Sequence, residues 1–413
     1  RDTIELTGTG TGSLTAATGV ERLEVKSGSW SVAGSAAYDE IAIRNGATVT
    51  SGLVIDNNDR LGIDIGGTLA VATNAVTWAG GGNAVLTNAG LISVEGAGRL
   101  LQTSASASGS LTIDNLAGGV LRGALNPSQA GTATASITLN NTGLIEANGR
   151  VIDFRSFDAN GANGVVNNLV GGIIRQTGTD TDVIRPGQDG VVNNAGTITT
   201  DPAFVGGGDL IDFQNDTGGS VNNLATGLME ASRHVVTGDR AVTVFNAGSM
   251  TARNGSAVNI DNDGTEAEIV RIANTGTMQG RSAGLANSDG DAIDIDGLLF
   301  LSNSGIVEGL GASGTNNGEP NVSEGIAMGG GTIVNNASGR IYGYGRGIQV
   351  DNSGNANALG TTLIVNDGVI QGDGNGPENV TPEAAAAFDL RGNEASNLIG
   401  DYADEIINTS GGR

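Results

Sequence analysis

The chain has 413 residues, 44 acidic and 20 basic side chains, a formal net charge of -24 and a pI of about 4.2. This charge excludes nucleic acid and anionic membranes as default partners, because both would be repelled. Cysteine is absent, so disulfides and thiolate metal sites are excluded too. No apolar run approaches the roughly 20 residues of a membrane helix, and no basic and apolar leader opens the chain, so we expect a mature or excised segment.

Residues 1–87 carry short repeats in which apolar and polar residues alternate with period two, as half-buried strands require. Three apolar pairs each precede a polar or glycine-rich bend: Leu23/Val25, Ile41/Ile43 and Ile63/Ile65. Further apolar residues follow those bends: Trp30/Val32, Val49 and Leu69/Val71. We therefore expect 1–87 to form β-helix coils with shorter repeats, without a separate domain.

The stretch Val191–Thr199 (VVNNAGTIT) is one copy of a repeat that reads as a strand, a tight bend and a second strand. Asparagine tolerates a left-handed backbone better than most residues, and glycine accepts either sign of φ. We therefore expect Asn194 and Gly196 to turn the chain sharply.

The same bend recurs along the chain. Its asparagines are Asn88, Asn115, Asn141, Asn168, Asn194, Asn223, Asn246, Asn274, Asn303, Asn336 and Asn366. Such a period indicates an array whose units bury their apolar faces only by stacking. Short strands without a helical pattern predict an all-β parallel β-helix, a single rod of about 13 to 16 coils roughly 4.8 Å apart. Because aromatic residues are only 3% of the chain, we expect Ile, Val, Leu and Ala to fill its core.

Between Asn88 and Asn246 the bend alternates between two forms. In the short form the next expected core residue comes four positions after the asparagine, at Ile92, Ile145, Ile198 and Met250. In the long form it comes five positions after, at Val120, Ile173 and Leu228. The alternation indicates a duplicated two-coil unit, with one large coil of about 53 residues as the alternative.

Later units lengthen by insertions at Gly311–Gly325 and Asp351–Gly360, which are places where binding could be grafted. We divide the chain into 1–87, main repeats over 88–375, and 376–413 as a last coil or the start of a further segment. The break lies in Gly372–Pro382. In Glu383–Asp389 (EAAAAFD) the Phe-Asp-Leu sequence that begins at Phe388 favours a strand over a helical turn.

An apolar residue followed by an outward polar residue recurs in many units. If these stack in register, Asp153, Arg185 and Asp212 lie on successive coils. Two carboxylates with an arginine are what a glycan-cleaving enzyme needs as acid, base and charge stabiliser. The alternative, which we favour, is a solvated ladder of opposite charges.

Two acidic segments, Asp289–Asp296 and Asp261–Gly264, carry clustered oxygens of the kind that bind calcium. Neither repeats as a calcium β-roll does, so we expect no metal site and no cofactor. His234 has no serine or cysteine nucleophile at a motif spacing, so we expect a surface histidine. The bend asparagines have a structural role in our interpretation: their amides stack into a ladder along the axis.

The repeats also carry a family resemblance. The pattern Val-Asn-Asn-x-Gly-x-Ile occurs, with variations, at Val192–Thr199, Leu139–Glu146, Ile272–Gln279, Leu301–Glu308 and Val365–Gln371. These repeats resemble the passenger domains of Gram-negative autotransporters. The resemblance implies a secreted, right-handed β-helix at the cell surface, exported by an outer-membrane β-barrel that is not in this segment.

These observations predict a surface-displayed structural or adhesive rod, not an enzyme, for attachment, self-association or biofilm formation. Its expected partners are a host or bacterial surface protein or glycan, or a second copy of itself. The alternatives are a β-helix polysaccharide hydrolase or lyase, and a subunit of a surface layer or filament.

Overall fold

A computed structural model describes residues 1–127, 135–155, 164–262, 268–285, 288–316, 319–350, 358–374, 386–390 and 404–413. These residues contain 42 strands and one short 3-10 helix, Ser35–Ala37. The described strands pair in parallel with strands of neighbouring coils, apart from the antiparallel pair Thr315–Asn316 and Glu319–Pro320. The predicted all-β parallel β-helix is thus confirmed.

The chain forms two units, which are described separately. Unit 1 contains residues 1–179 and 183–198, and unit 2 contains residues 180–182 and 199–413. In both units the strands lie on three faces, although the first coils of unit 1 have strands on faces 1 and 2 only. Face 1 leads into the asparagine bend, face 2 follows the bend, and face 3 returns the chain to the next coil.

In unit 1 each face is a stack of parallel strands. Face 1 contains Thr3–Leu6, Arg22–Val25, Glu40–Ile43, Arg60–Ile63, the end of Val76–Asn88, Gly109–Asn115, Ser136–Asn141, Gly164–Asn168 and Val191–Asn194. Face 2 contains Thr11–Leu14, Gly28–Val32, Ala47–Val49, Thr68–Val71, Leu91–Val94, Val120–Arg122, Leu144–Asn148, Ile173–Thr177 and Thr197–Thr199, which reaches the unit boundary. Face 3 contains Leu53–Asn57, the start of Val76–Asn88, Leu101–Thr103, Ile152–Asp153 and Ile184–Arg185.

Unit 2 has the same three faces. Face 1 contains Ser220–Asn223, Thr243–Asn246, Val270–Asn274, the ends of Ile293–Asn303 and Glu324–Asn335, Thr362–Asn366 and Glu405–Asn408. Face 2 contains Leu228–Ala231, Ser249–Ala252, Thr277–Arg281, Ile306–Leu310, Arg340–Gly343 and Val369–Gly372. Face 3 contains Ile211–Asp212, Val236–Gly238, Val258–Ile260, the starts of Ile293–Asn303 and Glu324–Asn335, Arg346–Val350 and Phe388–Asp389.

Strands of face 1 give the number of coils. There are nine in unit 1 and seven in unit 2, so the described residues form sixteen coils, within the predicted range. Asn115 is in register with Asn141, and Asn141 with Asn168. Neighbouring coils are therefore one repeat apart, and the alternative coil of about 53 residues is wrong. The division of the chain at residues 87 and 375 stays a prediction.

Stacked aliphatic side chains fill the interior of each unit, as the composition predicts. On face 2 of unit 1, Leu121 lies in register with Ile145, and Ile145 with Ile174. All three are at most 1% exposed. Each such side chain contributes roughly 1.5 to 3 kcal/mol by its removal from water.

The predicted positions of the core residues after the long bends are wrong by one residue. Ile173 and Leu228 face outward and are 38% and 41% exposed, and Val120 is half-buried. The buried residues come six positions after the asparagine, at Leu121, Ile174 and Met229. Because successive side chains of a strand point to opposite faces, two bend forms that reach the same core must differ by an even number of residues.

Other local predictions have mixed outcomes. Ile65 is 73% exposed, so the buried pair of its coil is Leu61 and Ile63 rather than Ile63 and Ile65. Phe388–Asp389 is a strand in register with Ile348–Gln349, as predicted. Parts of three predicted segments lie outside the described residues. They are 351–357 of an insertion, 375–385 around the break, and 263–264 of the second acidic segment.

Candidate functional site

Buried asparagines are the last residues of most face 1 strands, and within each unit they stack from coil to coil in a column. In unit 1, the Nδ2 atoms of Asn88, Asn115, Asn141 and Asn168 each donate to the Oδ1 atom of the next asparagine at 2.8 Å. The column is apolar in the four preceding coils, where Leu6, Val25, Ile43 and Ile63 occupy it. The predicted amide ladder therefore exists, and it begins at Asn88.

The ladder continues within unit 2 with one correction to its membership. It runs through Asn223, Asn246, Asn274, Asn303, Asn335, Asn366 and Asn408, with Nδ2 to Oδ1 distances of 2.8 or 2.9 Å. The prediction of Asn336 is wrong, because it is Asn335 that accepts from Asn303 and donates to Asn366. Asn336 instead donates to the backbone oxygen of Asn303 from the bend. The sequence prediction missed Asn408 as a ladder member.

The bend itself is built differently from the prediction. Neither Asn194 nor Gly196 has a positive φ. The Oδ1 atom of Asn194 accepts the backbone N–H of Gly196 at 3.2 Å, so the side chain closes the bend. A Cβ atom on Gly196 would lie 2.2 Å from the backbone oxygen of Gly172 in the preceding coil. Glycine is needed there because the coils approach closely, not because φ is unusual.

A second amide ladder lies on the outside of face 1 in unit 1. Asn193 donates to Asn167, Asn167 to Asn140, and Asn140 to Asp114, each at 2.8 Å. Its amides donate toward the N-terminal coil, whereas the buried ladder donates toward the C-terminal coil. The Asn-Asn doublets of the sequence were the signal for this ladder.

The three predicted catalytic residues, Asp153, Arg185 and Asp212, all lie on face 3. Asp153 and Arg185 are in register on neighbouring coils of face 3 in unit 1. Asp212 belongs to unit 2, where the residues in register with it on the following coils are Thr237, Asn259, Asp294, Ala327, Gln349 and Asp389. Each of these residues, Thr237 and Ala327 included, follows an apolar residue of its strand.

Asp153 is a buried, ion-paired carboxylate, and Asp212 is buried as well, so the expectation of a solvated ladder is wrong for both. Asp153 is 5% exposed, and its Oδ2 atom lies 2.7 Å from Arg155 Nη2 and 3.2 Å from Arg150 Nη1. Burial alone would raise the pKa of Asp153, but the hydrogen bond from Arg155 and the charges of both arginines lower it below its usual value. Asp153 is therefore ionised at neutral pH, and it lacks the proton that a general acid must hold.

In a group of carboxylates in unit 2, two pKa values are raised, whereas that of Asp153 is lowered. One oxygen each of Asp289, Asp291 and Asp294 lie within 4.8 Å of one another. Burial raises the pKa of Asp291 well above its usual value, and the charges of Glu324, Asp289 and Asp294 raise it further. Burial also raises the pKa of Asp289. The sequence marks Asp289–Asp296 as an acidic segment, but it does not indicate which of its carboxylates converge.

An open cleft of about 400 Å³ lies beside this group. Its lining includes Asp289, Asp294, Ser288, Arg233 and His234. Arg233 is neutralised by Asp209, which accepts from its Nε at 2.9 Å and pairs with its Nη2. Its guanidinium charge is therefore largely compensated within the cleft wall.

His234 is half-buried in this cleft, so the expectation of a surface histidine is wrong. Burial lowers the pKa of His234 to about 4. Its Nδ1 atom accepts the backbone N–H of Ser256 at 3.0 Å, which places the ring proton on Nε2. His234 is thus a neutral hydrogen-bond donor at physiological pH.

A strip of apolar side chains, here called the apolar ridge, runs along the outside of face 2 in unit 1. Leu91, Val120, Leu144 and Ile173 are in register on four successive coils. The long bends beside them add Leu116, Leu169 and Val170, which are 42%, 42% and 69% exposed. Val120 and Ile173 are core residues in the sequence prediction, but their strand parity turns them outward.

The chain was compared with protein-family models, with curated proteins and with solved structures. None of the three comparisons gives a significant match. Within the described residues, no helix combines the length and hydropathy needed to cross a membrane.

Proposed function

We propose that this chain is a surface-displayed or secreted structural and adhesive β-helix that mediates attachment, self-association or biofilm formation. The apolar ridge is the observation that carries the proposal. Apolar residues repeated in register on successive coils form a contiguous surface strip, and such strips on soluble proteins mark interaction sites. The resemblance of the repeats to autotransporter passenger domains supports the same function, with export by an outer-membrane β-barrel outside this segment.

The state of Asp153 supports a structural over an enzymatic role for face 3 of unit 1. Both oxygens of this carboxylate accept from Arg155, and its Oδ2 also pairs with Arg150. A carboxylate held ionised between arginines is suited to stabilise a coil. It is poorly suited to protonate a leaving group.

The proposal is tested by binding assays on the purified chain. We expect binding to at least one component of an array of glycans and matrix proteins, or self-association in sedimentation velocity. The double variant Leu169→Ser/Val170→Ser removes two exposed ridge residues and should weaken that binding at least about ten-fold, a loss of roughly 1.4 kcal/mol.

The matched control is Val205→Ser/Leu285→Ser, which removes an exposed valine and leucine from unit 2. It should bind like the unaltered chain. Equal weakening by both double variants would contradict a role for the ridge. The absence of any binding and any self-association would contradict the adhesive proposal itself.

The polysaccharide hydrolase or lyase is a second candidate. Its acid and base would be Asp289 and Asp294 in unit 2, not the predicted Asp153 and Asp212. Burial raises the pKa of Asp289, and this carboxyl group lies beside Asp294 in an open cleft. A raised pKa favours the role of general acid, and a second carboxylate nearby can act as the base. Release of reducing ends from bacterial or host glycans, abolished by Asp294→Asn and retained by Asp153→Asn, would favour this enzyme over the adhesive function.

A further inference from the structure

The acidic segment before strand Ile293–Asn303 is held in a fixed conformation. Ser288 exchanges two backbone hydrogen bonds with Ser313, at 2.9 and 2.6 Å. Gly290 has a φ of 68°, and a Cβ atom there would lie 2.2 Å from the backbone oxygen of Gly311. The side chains on either side of Gly290 are therefore positioned by the backbone before any ligand binds.

This fixed segment brings three carboxylates to one point. One oxygen each of Asp289, Asp291 and Asp294 lie within 4.8 Å of one another. Two ligands of one Ca²⁺ ion, each at about 2.4 Å, are at most about 4.8 Å apart, so all three oxygens fit around a single ion. Asp291 is 3% exposed, and its Oδ1 accepts the backbone N–H of Glu324 at 2.6 Å, which orients the carboxylate.

Further charged groups lie near these three carboxylates. The nearby Glu324 carries a fourth carboxylate, and that one pairs with Arg346 at 3.0 Å. Arg233 in the cleft wall already pairs with Asp209. Like charges at such distances in a buried site destabilise the fold unless a proton or a cation neutralises them.

A second, independent feature indicates an oxygen-seeking ligand. Ser288 is 5% exposed, and its Oγ atom is buried without a hydrogen-bond partner among the described residues. Ser288 lines the same cleft as Asp289 and Asp294. A buried hydroxyl without a partner costs about 1 to 3 kcal/mol, and an ion bound in the cleft would supply the missing contact.

We propose that Asp289, Asp291 and Asp294, together with the hydroxyl of Ser288, form a binding site for one Ca²⁺ ion. Calcium takes six to eight oxygen ligands, and the open cleft admits the waters that complete this number. The ion would join the loop Ser288–Asp291 to Asp294 on face 3, and so stabilise this coil of unit 2.

The test uses the purified chain, freed of metal with a chelator and titrated with CaCl2 in a calorimeter. We expect one ion per chain with a dissociation constant between about 10⁻⁵ and 10⁻³ M. Asp294→Asn should weaken binding at least about ten-fold. The matched control is Asp296→Asn, two residues further on the same strand and outside the three-carboxylate group, which should change binding by less than about three-fold.

A second measurement separates calcium binding from a purely structural role of the carboxylates. Asp291→Asn should raise the melting temperature of the metal-free chain, because it removes a buried like charge, and should abolish the rise caused by CaCl2. Should this variant fail to fold, the half-buried Asp294→Asn carries the test alone. No response to about 5 mM CaCl2, an equal response to MgCl2, or an equal response of Asp294→Asn and the unaltered chain would overturn the proposal.

Discussion

Asn335 and Asn336 are neighbours with the same side chain, yet only Asn335 lies in the buried amide ladder. Its amide accepts from Asn303 and donates to Asn366 and to two backbone oxygens, from a position that is 1% exposed. Asn336 lies in the bend and donates to a backbone oxygen and to Ser304. At this scale, burial rather than residue type determines what an asparagine contributes.

We therefore predict that Asn335→Ala lowers the free energy of unfolding by about 2 kcal/mol, because it leaves buried amide groups of both neighbouring coils without partners. Asn336→Ala should cost less than about 1 kcal/mol, because water replaces its contacts. Urea unfolding of the two variants measures the difference. Equal destabilisation would mean that the ladder adds nothing beyond an ordinary bend.

Asp59 provides a second test at the residue scale. It is 6% exposed, and its Oδ2 accepts the backbone N–H of Asp56 at 2.8 Å. Burial, followed by the charges of Asp56 and Asp39, raises the pKa of Asp59 from 3.8 to about 6. Because the pKa of Asp59 is raised in the folded state, protonated Asp59 contributes to the free energy of unfolding below about pH 4. This contribution is lost as the pH rises through about 6.

Asp59→Asn should accordingly stabilise the fold at pH 7.5 by roughly 1 to 2 kcal/mol and have little effect near pH 4. Asparagine keeps the acceptor for Asp56 and carries no charge. Denaturation at both pH values measures the effect, and Asp2→Asn, at an exposed position, is the control for a simple change of net charge. A stability gain of the same size at both pH values would contradict this account.

At the scale of the strand, alternation of side chains determines which apolar residues form the core. Ile173 and Ile174 are adjacent on face 2, with exposed fractions of 38% and 0%. The long bend has two residues more than the short bend, so it keeps the parity of the strand and leaves Ile173 outside. The outward isoleucine then becomes part of the apolar ridge.

Ile174→Ala should destabilise the chain by about 2 to 5 kcal/mol, because it opens a cavity between stacked coils. Ile173→Ala should stay within about 0.5 kcal/mol in stability, since it changes only the surface. Urea midpoints of the two variants measure this. A larger loss for Ile173→Ala would contradict the register of face 2.

At the scale of the whole molecule, the excess of acidic residues opposes folding through self-repulsion. Ion pairs relieve it locally, as where Glu146 lies between Arg122 and Arg175 at 2.8 and 2.6 Å. The formal net charge of -24 nevertheless remains, and salt screens such repulsion over a Debye length of about 10 Å. Surface ion pairs, which salt also weakens, contribute little each.

We predict that NaCl at about 0.5 M raises the melting temperature relative to about 0.02 M, in the presence of a chelator. Screening of net repulsion should exceed the loss from weakened ion pairs. Thermal scans over this range measure the effect. A melting temperature that falls with added salt would show that the ion pairs dominate.

The sequence by itself determined the class of fold, the repeat and the existence of the asparagine ladder. Those features depend on local regularities, namely alternating apolar residues, recurring Asn-x-Gly bends and a period that neighbouring coils must share. Only the tertiary structure decided between Asn335 and Asn336 and between Ile173 and Ile174, because a shift of one residue reverses which side of the strand is buried. It also decided that Asp289, Asp291 and Asp294 converge, since the backbone around Gly290 packs against residues more than twenty positions away, such as Gly311. Distances between side chains set by such long-range packing have no counterpart in the periodicity of the sequence.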